Sequence, residues 1–308
     1  MSFQYPEKHE KSAYIQLLIL CGLALAGLIV FSMIGLIILF AMYGQVVLTD
    51  PIAFASGDPK YLNGLKIFQI LSSIGLFLAP PLLLAWIEGK KVKDFYDFKK
   101  TQPNLIALLI LVMIVSMPFM EWTALWNQKM HFPEFLKPLE TWMKAKEAEA
   151  MRMTLILLTV NGIWDFLVNL FMIALLPAVA EELMFRGGVQ RSFNRMFGNP
   201  HVAIWLSAFL FSAIHMQFYG FLPRLLLGAA FGYIYVWSGS LWYAMLAHFL
   251  NNGFAVAMAW YLQTKNMPLS GADQTFHFQW YGYVFSLVIT ALFLWKFKQN
   301  TNYGKQLG

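Results

Sequence analysis

The stretch LLPAVAEELMFRGG, residues 175–188, places two adjacent glutamates, Glu181 and Glu182, at the end of one of the most apolar parts of the chain. Carboxylates at membrane depth are costly unless they are paired or have a function. Two histidines follow in later apolar stretches, His215 in FLFSAIH and His248 in WYAMLAHFLNN. Carboxylates and imidazoles together within hydrophobic segments suit proton transfer or metal chemistry, so the pattern indicates an enzyme.

The composition is that of a polytopic membrane protein. Of the 308 residues, 59% are hydrophobic and only 12% are charged, whereas soluble domains are about 25% charged. A membrane-spanning helix needs about 20 apolar residues. Apolar stretches occur near 14–44, 64–87, 104–126, 156–180, 202–218, 224–239, 241–262 and 280–297. We therefore predict an all-α membrane bundle of about eight transmembrane helices.

The distribution of lysine and arginine predicts how the bundle is oriented. The 88–103 loop contains five lysines, and the 181–200 segment contains three arginines. The loops 45–63 and 263–279 contain one lysine each. Because positive residues concentrate in cytoplasmic loops, we expect both termini to be cytoplasmic. The first apolar run, of about 30 residues, is too long for the core of a signal peptide and predicts a retained helix.

The net charge and the single cysteine limit the possible partners and ligands. The formal net charge of +6 is explained by cytoplasmic loops, and no basic run is interleaved with aromatic residues, so no nucleic-acid partner is predicted. Cys21 is the sole cysteine, which excludes an intramolecular disulfide and a thiolate zinc site.

The chain divides into two parts that we expect to form one structural unit. Residues 1–150 contain about three transmembrane helices, followed near 127–155 by a charged segment. That segment predicts a partly helical interfacial element, because KAKEAEAMRM combines strong helix formers with i,i+4 charge pairs. Residues 151–308 form the transmembrane core that carries the polar motifs.

The spacing of the first motif predicts separate roles for the two glutamates. If the helix continues through EELMFR, Glu182 and Arg186 are four residues apart and pair on one face. Glu181 is rotated by about 100° and points elsewhere, toward a cavity. A solvated charge cluster at a helix end is the competing interpretation.

The two histidine motifs offer further polar groups. His215 follows Phe211 by four residues well inside the predicted fifth span, where an ionisable side chain usually faces a cavity or a partner. His248 and Asn252 share one face of the seventh span, an arrangement that suits oxyanion stabilisation or metal ligation. Plain interhelical hydrogen bonding is the alternative, and we assign that role to Asn251.

Together the motifs EELMFR (181–186), FSAIH (211–215) and HFLNN (248–252) resemble the CAAX prenyl protease 2 and bacteriocin-processing (CPBP, or Abi) family of intramembrane proteases. The resemblance covers roughly residues 165–260. H-E-x-x-H, G-x-S-x-G, P-loop and dinucleotide-binding patterns are absent from the sequence.

The resemblance implies an endopeptidase that acts on a membrane-associated peptide or protein. The compact chain, in which we detect no targeting extension, predicts a protein of a prokaryotic inner membrane. Glu181 would be the general base that activates water, His215 would help to hold that water, and His248 with Asn252 would stabilise the oxyanion. Glu182 and Arg186 would orient the site. The family has been described both as metal-independent glutamate proteases and as metalloproteases, so Glu181, His215 and His248 are also candidate ligands for zinc.

The implied partners are membrane lipid and the peptide substrate, and the oligomeric state stays open. Two other functions compete with the peptidase. A proton-coupled transporter would use the same residues as a relay, although no repeated halves are detectable. A non-catalytic or immunity-type protein would keep the fold alone. For a shared site, the fourth helix must extend through Arg186 toward Arg195 and carry Glu181 into the membrane.

Overall fold

The computed structural model describes residues 10–50, 58–269 and 278–301, and within them the protein is built from α-helices with short 3-10 and π segments. The main helices, in chain order, are α1 (Ala13–Tyr43), α2 (Pro59–Ile87), α3 (Pro103–Gln128), α4 (Lys137–Leu158), α5 (Ile163–Phe197), α6 (Pro200–Ala213), α7 (Phe221–Ser238), α8 (Leu241–Thr264) and α9 (Trp280–Asn300). The predicted all-α fold is confirmed. The chain termini, whose orientation the sequence predicts as cytoplasmic, lie outside the described residues.

The predicted count of about eight spans is not confirmed. Among the described residues, six helices are long and apolar enough to cross a membrane: α1, α2, α3, α5, α7 extended back to Phe218, and α9. Helix α6 has 14 residues, a length of about 21 Å, which is shorter than the hydrocarbon core of about 30 Å. Helix α8 is 24 residues long but is not among the six. Its apolar sequence is interrupted by His248, Asn251 and Asn252.

Helix α4 occupies the charged segment that the sequence predicts as partly helical. Glu140 accepts from Lys144 at 2.6 Å in an i,i+4 pair, and Lys146 pairs with Glu149 at 2.8 Å. Helix α4 ends at Leu158, and α5 begins only at Ile163. The predicted start of the fourth span at residue 156 is therefore wrong, because the last turn of α4 has the same apolar character as the span that follows.

Helix α5 is the long central helix, and it extends as the shared site requires. It runs for 35 residues, with Glu181 near its midpoint. Two π segments, Leu170–Leu175 and Leu183–Gln190, flank the turn that carries both glutamates. Such wide turns are frequent at functional sites because they redirect side chains without ending a helix.

Glycines allow neighbouring chain segments to approach α5 closely. A Cβ at Gly187 would lie 2.6 Å from the ring of Tyr96, and one at Gly188 would lie 2.6 Å from Leu20. The two glycines therefore admit close neighbours without ending the helix.

Helices α6, α7 and α8 surround the middle of α5. Helix α6 packs along α7, and α8 packs against the first π segment and the glutamate-bearing turn of α5. The connection between α7 and α8 is a tight hairpin, in which Gly239 has a left-handed conformation with φ 62°. This hairpin holds α7 and α8 side by side, so residues from both reach the same face of α5.

Candidate functional site

A cavity of about 500 Å³ lies between α5 and its neighbours and brings the separate sequence motifs together. The sequence-predicted residues in its wall are Glu181, His215, His248 and Asn252. Glu182 and Arg186 do not line the cavity. They are buried behind its wall, with 0% and 1% of their side chains exposed.

Glu182 is neutralised within α5 in the way that the spacing predicts. Its Oε1 accepts a hydrogen bond of 2.8 Å from Nη1 of Arg186, four residues later. Nη2 of Arg186 also donates to the carbonyl of Gly228 on α7 at 2.8 Å. The bond to Gly228 fixes α5 against α7. It also satisfies part of the hydrogen-bonding capacity of the ion pair, and a buried ion pair is tolerated only when additional hydrogen bonds of this kind are made.

Glu181 points in another direction, into the cavity. Its side chain is 12% exposed, and its Oε2 lies 3.9 Å from Nε2 of His248. No hydrogen bond joins Glu181 to the surrounding described residues. Two consecutive carboxylates thus have different environments, as the rotation of about 100° per helical residue requires.

His248 joins the two glutamates. Its Nδ1 lies 2.8 Å from Oε1 of Glu182. Since an ionised carboxylate can only accept, Nδ1 carries a proton and Nε2 is directed to the side of Glu181. The ring stacks on Phe231 with centroids 5.5 Å apart. Glu182 therefore sets the orientation of the imidazole, in the way that a carboxylate orients a catalytic histidine elsewhere.

Phe211 has a packing role that sequence reasoning missed. The guanidinium of Arg186 lies 4.7 Å from its ring centroid, a cation–π distance. The same ring contacts His215 and His248 edge to face, at 5.1 Å and 5.9 Å. The phenylalanine of the F-x-x-x-H motif thus fixes three polar side chains at once, and its fixed spacing from His215 was the available signal.

Asn252 makes the kind of interhelical hydrogen bond that was predicted for Asn251. Its Nδ2 donates to the carbonyl of Ile173 on α5 at 3.0 Å. That carbonyl cannot receive the usual helical bond from residue 177, because Pro177 has no N–H. Asn251 instead donates to Oδ1 of Asn252 at 3.0 Å. One N–H of the Asn252 amide remains for the cavity.

His215 is not well inside a helical span, contrary to the prediction. Helix α6 ends at Ala213, and His215 lies in the turn that follows. Its Nδ1 lies 2.7 Å from the carbonyl of Phe211, which completes the last turn of the helix. Because a carbonyl only accepts, Nδ1 carries the proton and Nε2 is an acceptor. The apolar run continues past the helix end, so hydrophobicity alone could not locate this boundary.

Arg224 also lines the cavity and was not among the predicted site residues. It lies in the first turn of α7, inside a segment that is otherwise long and apolar enough to span a membrane. The sixth predicted apolar stretch, near 224–239, begins at this residue. An arginine followed directly by an apolar run was the signal that could have identified it.

The three candidate zinc ligands do not form a metal site. In the described part of the chain, no group of three or more His, Cys, Asp or Glu side chains is arranged to hold a metal ion. Glu182 holds Nδ1 of His248 and a backbone carbonyl holds Nδ1 of His215, so only the Nε2 atoms of these rings could bind a metal. Zinc requires several donors at about 2.0–2.2 Å around one point. The side chains do not fit this requirement, and we derive no step through a metal.

Comparison with known proteins identifies the segment that carries this site. Residues 163–254 match the family model described as "Type II CAAX prenyl endopeptidase Rce1-like". The matched segment includes all six predicted site residues and extends from the start of α5 into α8. The predicted resemblance is confirmed over this segment.

A curated bacterial relative supports the same region. Over 86 residues the chain is 29% identical to "Uncharacterized protein YpbD" of Bacillus subtilis (strain 168). The alignment covers 27% of this chain and 41% of the relative, so it spans less than half of either protein. No solved structure matches the chain. The family match and the apolar helices together identify an integral membrane protein.

Proposed function

Because residues 163–254 carry the pattern of type II CAAX prenyl endopeptidases, we propose that this protein is an intramembrane endopeptidase. Its substrate is a membrane-associated peptide or protein, and its nucleophile is a water activated by Glu181. The observation that carries the proposal is the separation of the two adjacent glutamates. Glu182 is bound by Arg186 and His248, whereas Glu181 faces the cavity 3.9 Å from Nε2 of His248.

Glu181 acts as the general base. It removes a proton from a water molecule, and the water oxygen attacks the carbonyl carbon of the scissile peptide bond. The same carboxylic acid then returns the proton to the leaving amine as the carbon–nitrogen bond breaks. A single carboxylate can perform both transfers because it is protonated by the first and restored by the second.

His215 positions the water. Its Nδ1–H is held by the carbonyl of Phe211, so its Nε2 is free to accept a hydrogen bond from a water in the cavity. Such a bond leaves the second water proton directed elsewhere, toward Glu181. A fixed water lowers the cost of orienting the nucleophile during the reaction.

His248 and Asn252 stabilise the oxyanion that forms on the scissile carbonyl. The free N–H of Asn252 can donate to it, since the other N–H is bound to Ile173. His248 can donate from Nε2 when its ring carries both protons, and Glu182 holds the ring in place by accepting from Nδ1. Donors fixed before the reaction stabilise a developing charge without reorganisation.

Substitution of Glu181 tests the proposal directly. We expect Glu181→Gln to lower the cleavage rate of a membrane-tethered peptide in proteoliposomes by at least about 100-fold, because general-base catalysis contributes about 10²–10⁴. The matched control is Glu149→Gln, which makes the same change on the exposed side of α4. Cleavage should be unaffected by the control.

Three other outcomes would count against the proposed peptidase mechanism. Cleavage by Glu181→Gln at the wild-type rate would contradict the role of Glu181 as the base. Proton-coupled transport that requires Glu181, without any cleavage, would favour the transporter. Stoichiometric zinc in the purified protein would contradict the metal-free reaction that the donor geometry favours.

A further inference from the structure

The cavity has a cationic group that the proposed reaction does not use. Arg224 lies in the wall that also contains Glu181 and His248, and its side chain reaches the cavity from α7. Its flanking residues on α7 are Pro223 and an apolar run that begins at Leu225. A guanidinium in an apolar segment is costly unless a partner compensates its charge.

The interactions of Arg224 in the described part of the chain do not include an ion pair. Nη2 donates to Oε1 of Gln217 at 2.6 Å, and Nη1 lies 3.5 Å from the carbonyl of Gln217. Both acceptors are neutral. Glu147 and Glu181 act on Arg224 electrostatically from beyond ion-pair distance. Its charge is therefore only partly compensated.

Other arginines of the bundle differ from Arg224 in this respect. Arg186 pairs with Glu182 at 2.8 Å. Arg191 and Arg195 both pair with Glu10, at 2.7 Å and 3.1 Å. Each of these three has a carboxylate within the chain. Arg224 has a neutral amide instead, and it is the one of the four that lines the cavity.

Gln217 is a replaceable partner. It lies in the connection between α6 and the short 3-10 turn Phe218–Gly220, next to Met216, whose φ is 54°. The amide offers Arg224 a single side-chain oxygen, whereas a carboxylate offers two oxygens that match the fork of a guanidinium. An entering carboxylate would gain a charge-assisted, bidentate contact that Gln217 cannot provide.

We propose that Arg224 binds a carboxylate of the substrate, so that the site selects peptides with an anionic group near the cleaved bond. The carboxylate is either the C-terminus of the peptide or the side chain of an acidic residue. Glu181 has the same sign and repels it, which places the anionic group on the side of the cavity formed by α7. The proposal rests on the proposed peptidase only in naming the ligand as its substrate.

A binding measurement on a non-cleaving protein tests the proposal. Glu181→Gln protein in nanodiscs of neutral phosphatidylcholine is titrated with three versions of one N-acylated apolar peptide. The first has a free C-terminal carboxylate, the second a carboxamide, and the third a carboxamide with one internal aspartate. At least one anionic peptide should bind about ten-fold or more tightly than the neutral one, since hydrogen bonds to charged groups contribute about 1.5–3 kcal/mol. The anionic peptide that binds more tightly than the neutral one shows whether the carboxylate is the C-terminus or an acidic side chain.

Variants of Arg224 provide the decisive comparison. Adding Arg224→Gln should reduce the anionic-to-neutral affinity ratio to about one, and Arg224→Lys should restore part of it. The matched control is Arg152→Gln on α4, at an exposed arginine outside the cavity wall, which should keep the full ratio. Size-exclusion profiles establish that each variant is folded.

The possible failures are distinguishable. Equal binding of the three peptides, or a ratio that survives Arg224→Gln in folded protein, overturns the role of Arg224 even if the wild type cleaves peptides. Carboxylate-dependent binding that needs Arg224 supports the anion site. If the wild-type protein then cleaves none of the peptides, the proposed peptidase is overturned instead.

Discussion

Glu182 and Arg186 determine how the site is held together at the scale of single residues. The two side chains are fully buried, and Glu182 also accepts from Nδ1 of His248. One oxygen of Glu182, Oε2, has no hydrogen-bond partner among the described residues. Removing either member of such a pair leaves a charge in a medium of low dielectric, which is more costly than removing both.

We predict that Arg186→Gln lowers the free energy of unfolding by about 3–5 kcal/mol, because it leaves Glu182 uncompensated. The double variant with Glu182→Gln should lose less than the sum of the two single variants. Thermal unfolding in detergent measures this coupling. As a control, Arg195→Gln removes a pair whose arginine side chain is 32% exposed and should cost under about 1 kcal/mol. Additive single-variant effects would contradict the coupling.

At the scale of elements, close contact between α1 and α2 depends on two glycines. A Cβ at Gly27 would overlap the backbone carbonyl of Gly75, and a Cβ at Gly75 would overlap that of Gly27. Small residues allow membrane helices to approach to backbone contact, where dispersion is strongest. Gly75 also lies in the π segment Ile74–Leu78 of α2, so the two helices meet where α2 is irregular.

We expect Gly27→Ala to destabilise the protein by about 1–3 kcal/mol, the usual cost of overpacking a tight contact. Gly22→Ala is the matched control on the same helix, because a Cβ there meets nothing within 4 Å. The midpoints of thermal unfolding in detergent compare the two variants. Equal midpoints would show that α1 and α2 separate without cost.

The attachment of the segment before α4 should depend on pH. Hydrogen bonds from Lys144 and His131, together with the backbone N–H of Phe132, lower the pKa of Glu140 to about 2. A lowered folded-state pKa means that Glu140 contributes its full stabilisation above about 4.5, the value of an unperturbed glutamate. That contribution is lost as the pH falls from there toward 2.

Hydrogen exchange at the amide of Phe132 measures this effect. Between pH 6 and pH 3, corrected for intrinsic exchange rates, protection should decrease more in the wild type than in Glu140→Gln. In Glu140→Gln, protection should be low at both values of pH. The same decrease in both proteins would assign the effect to another carboxylate.

At the scale of the whole molecule, hydrogen bonds between distant segments define two ends of the bundle. At one end, Leu241 N–H donates to the carbonyl of Asp97, and Ser240 Oγ donates to that of Lys99. At the other end, Val160 N–H donates to Oε1 of Gln263 at 3.0 Å. The lysine-rich 88–103 loop belongs to the first end, which we propose is cytoplasmic.

Cysteine labelling tests this orientation. In a Cys21→Ser background, a membrane-impermeant maleimide added outside intact cells should label Asn161→Cys but not Lys100→Cys. Both native residues are exposed. Permeabilised cells should show labelling at both positions. The reverse pattern in intact cells would invert the orientation, and labelling of both would contradict two separate ends.

The two halves of the chain also meet at the site. Gln69 from α2 lines the cavity, and Leu20 and Tyr96 contact the glycines that follow Arg186. We therefore propose that residues 1–150 and 151–308 act as one structural unit. The N-terminal helices carry no motif of their own, so this contribution was not visible in the sequence.

The sequence by itself determined the all-α membrane class, the six motif residues and the pairing of Glu182 with Arg186. Each depends on composition or on spacing within one helix, where periodicity fixes which residues share a face. Tertiary structure alone decided that His248 bridges Glu182 and Glu181, that Asn252 binds Ile173, that His215 lies beyond its helix, and that Arg224 enters the same cavity. The partners in such contacts are far apart along the chain. The separation is 66 residues for His248 and Glu182 and 79 for Asn252 and Ile173. It is 42 residues for Arg186 and Gly228. These contacts follow from how the helices pack, which local patterns of hydrophobicity do not specify.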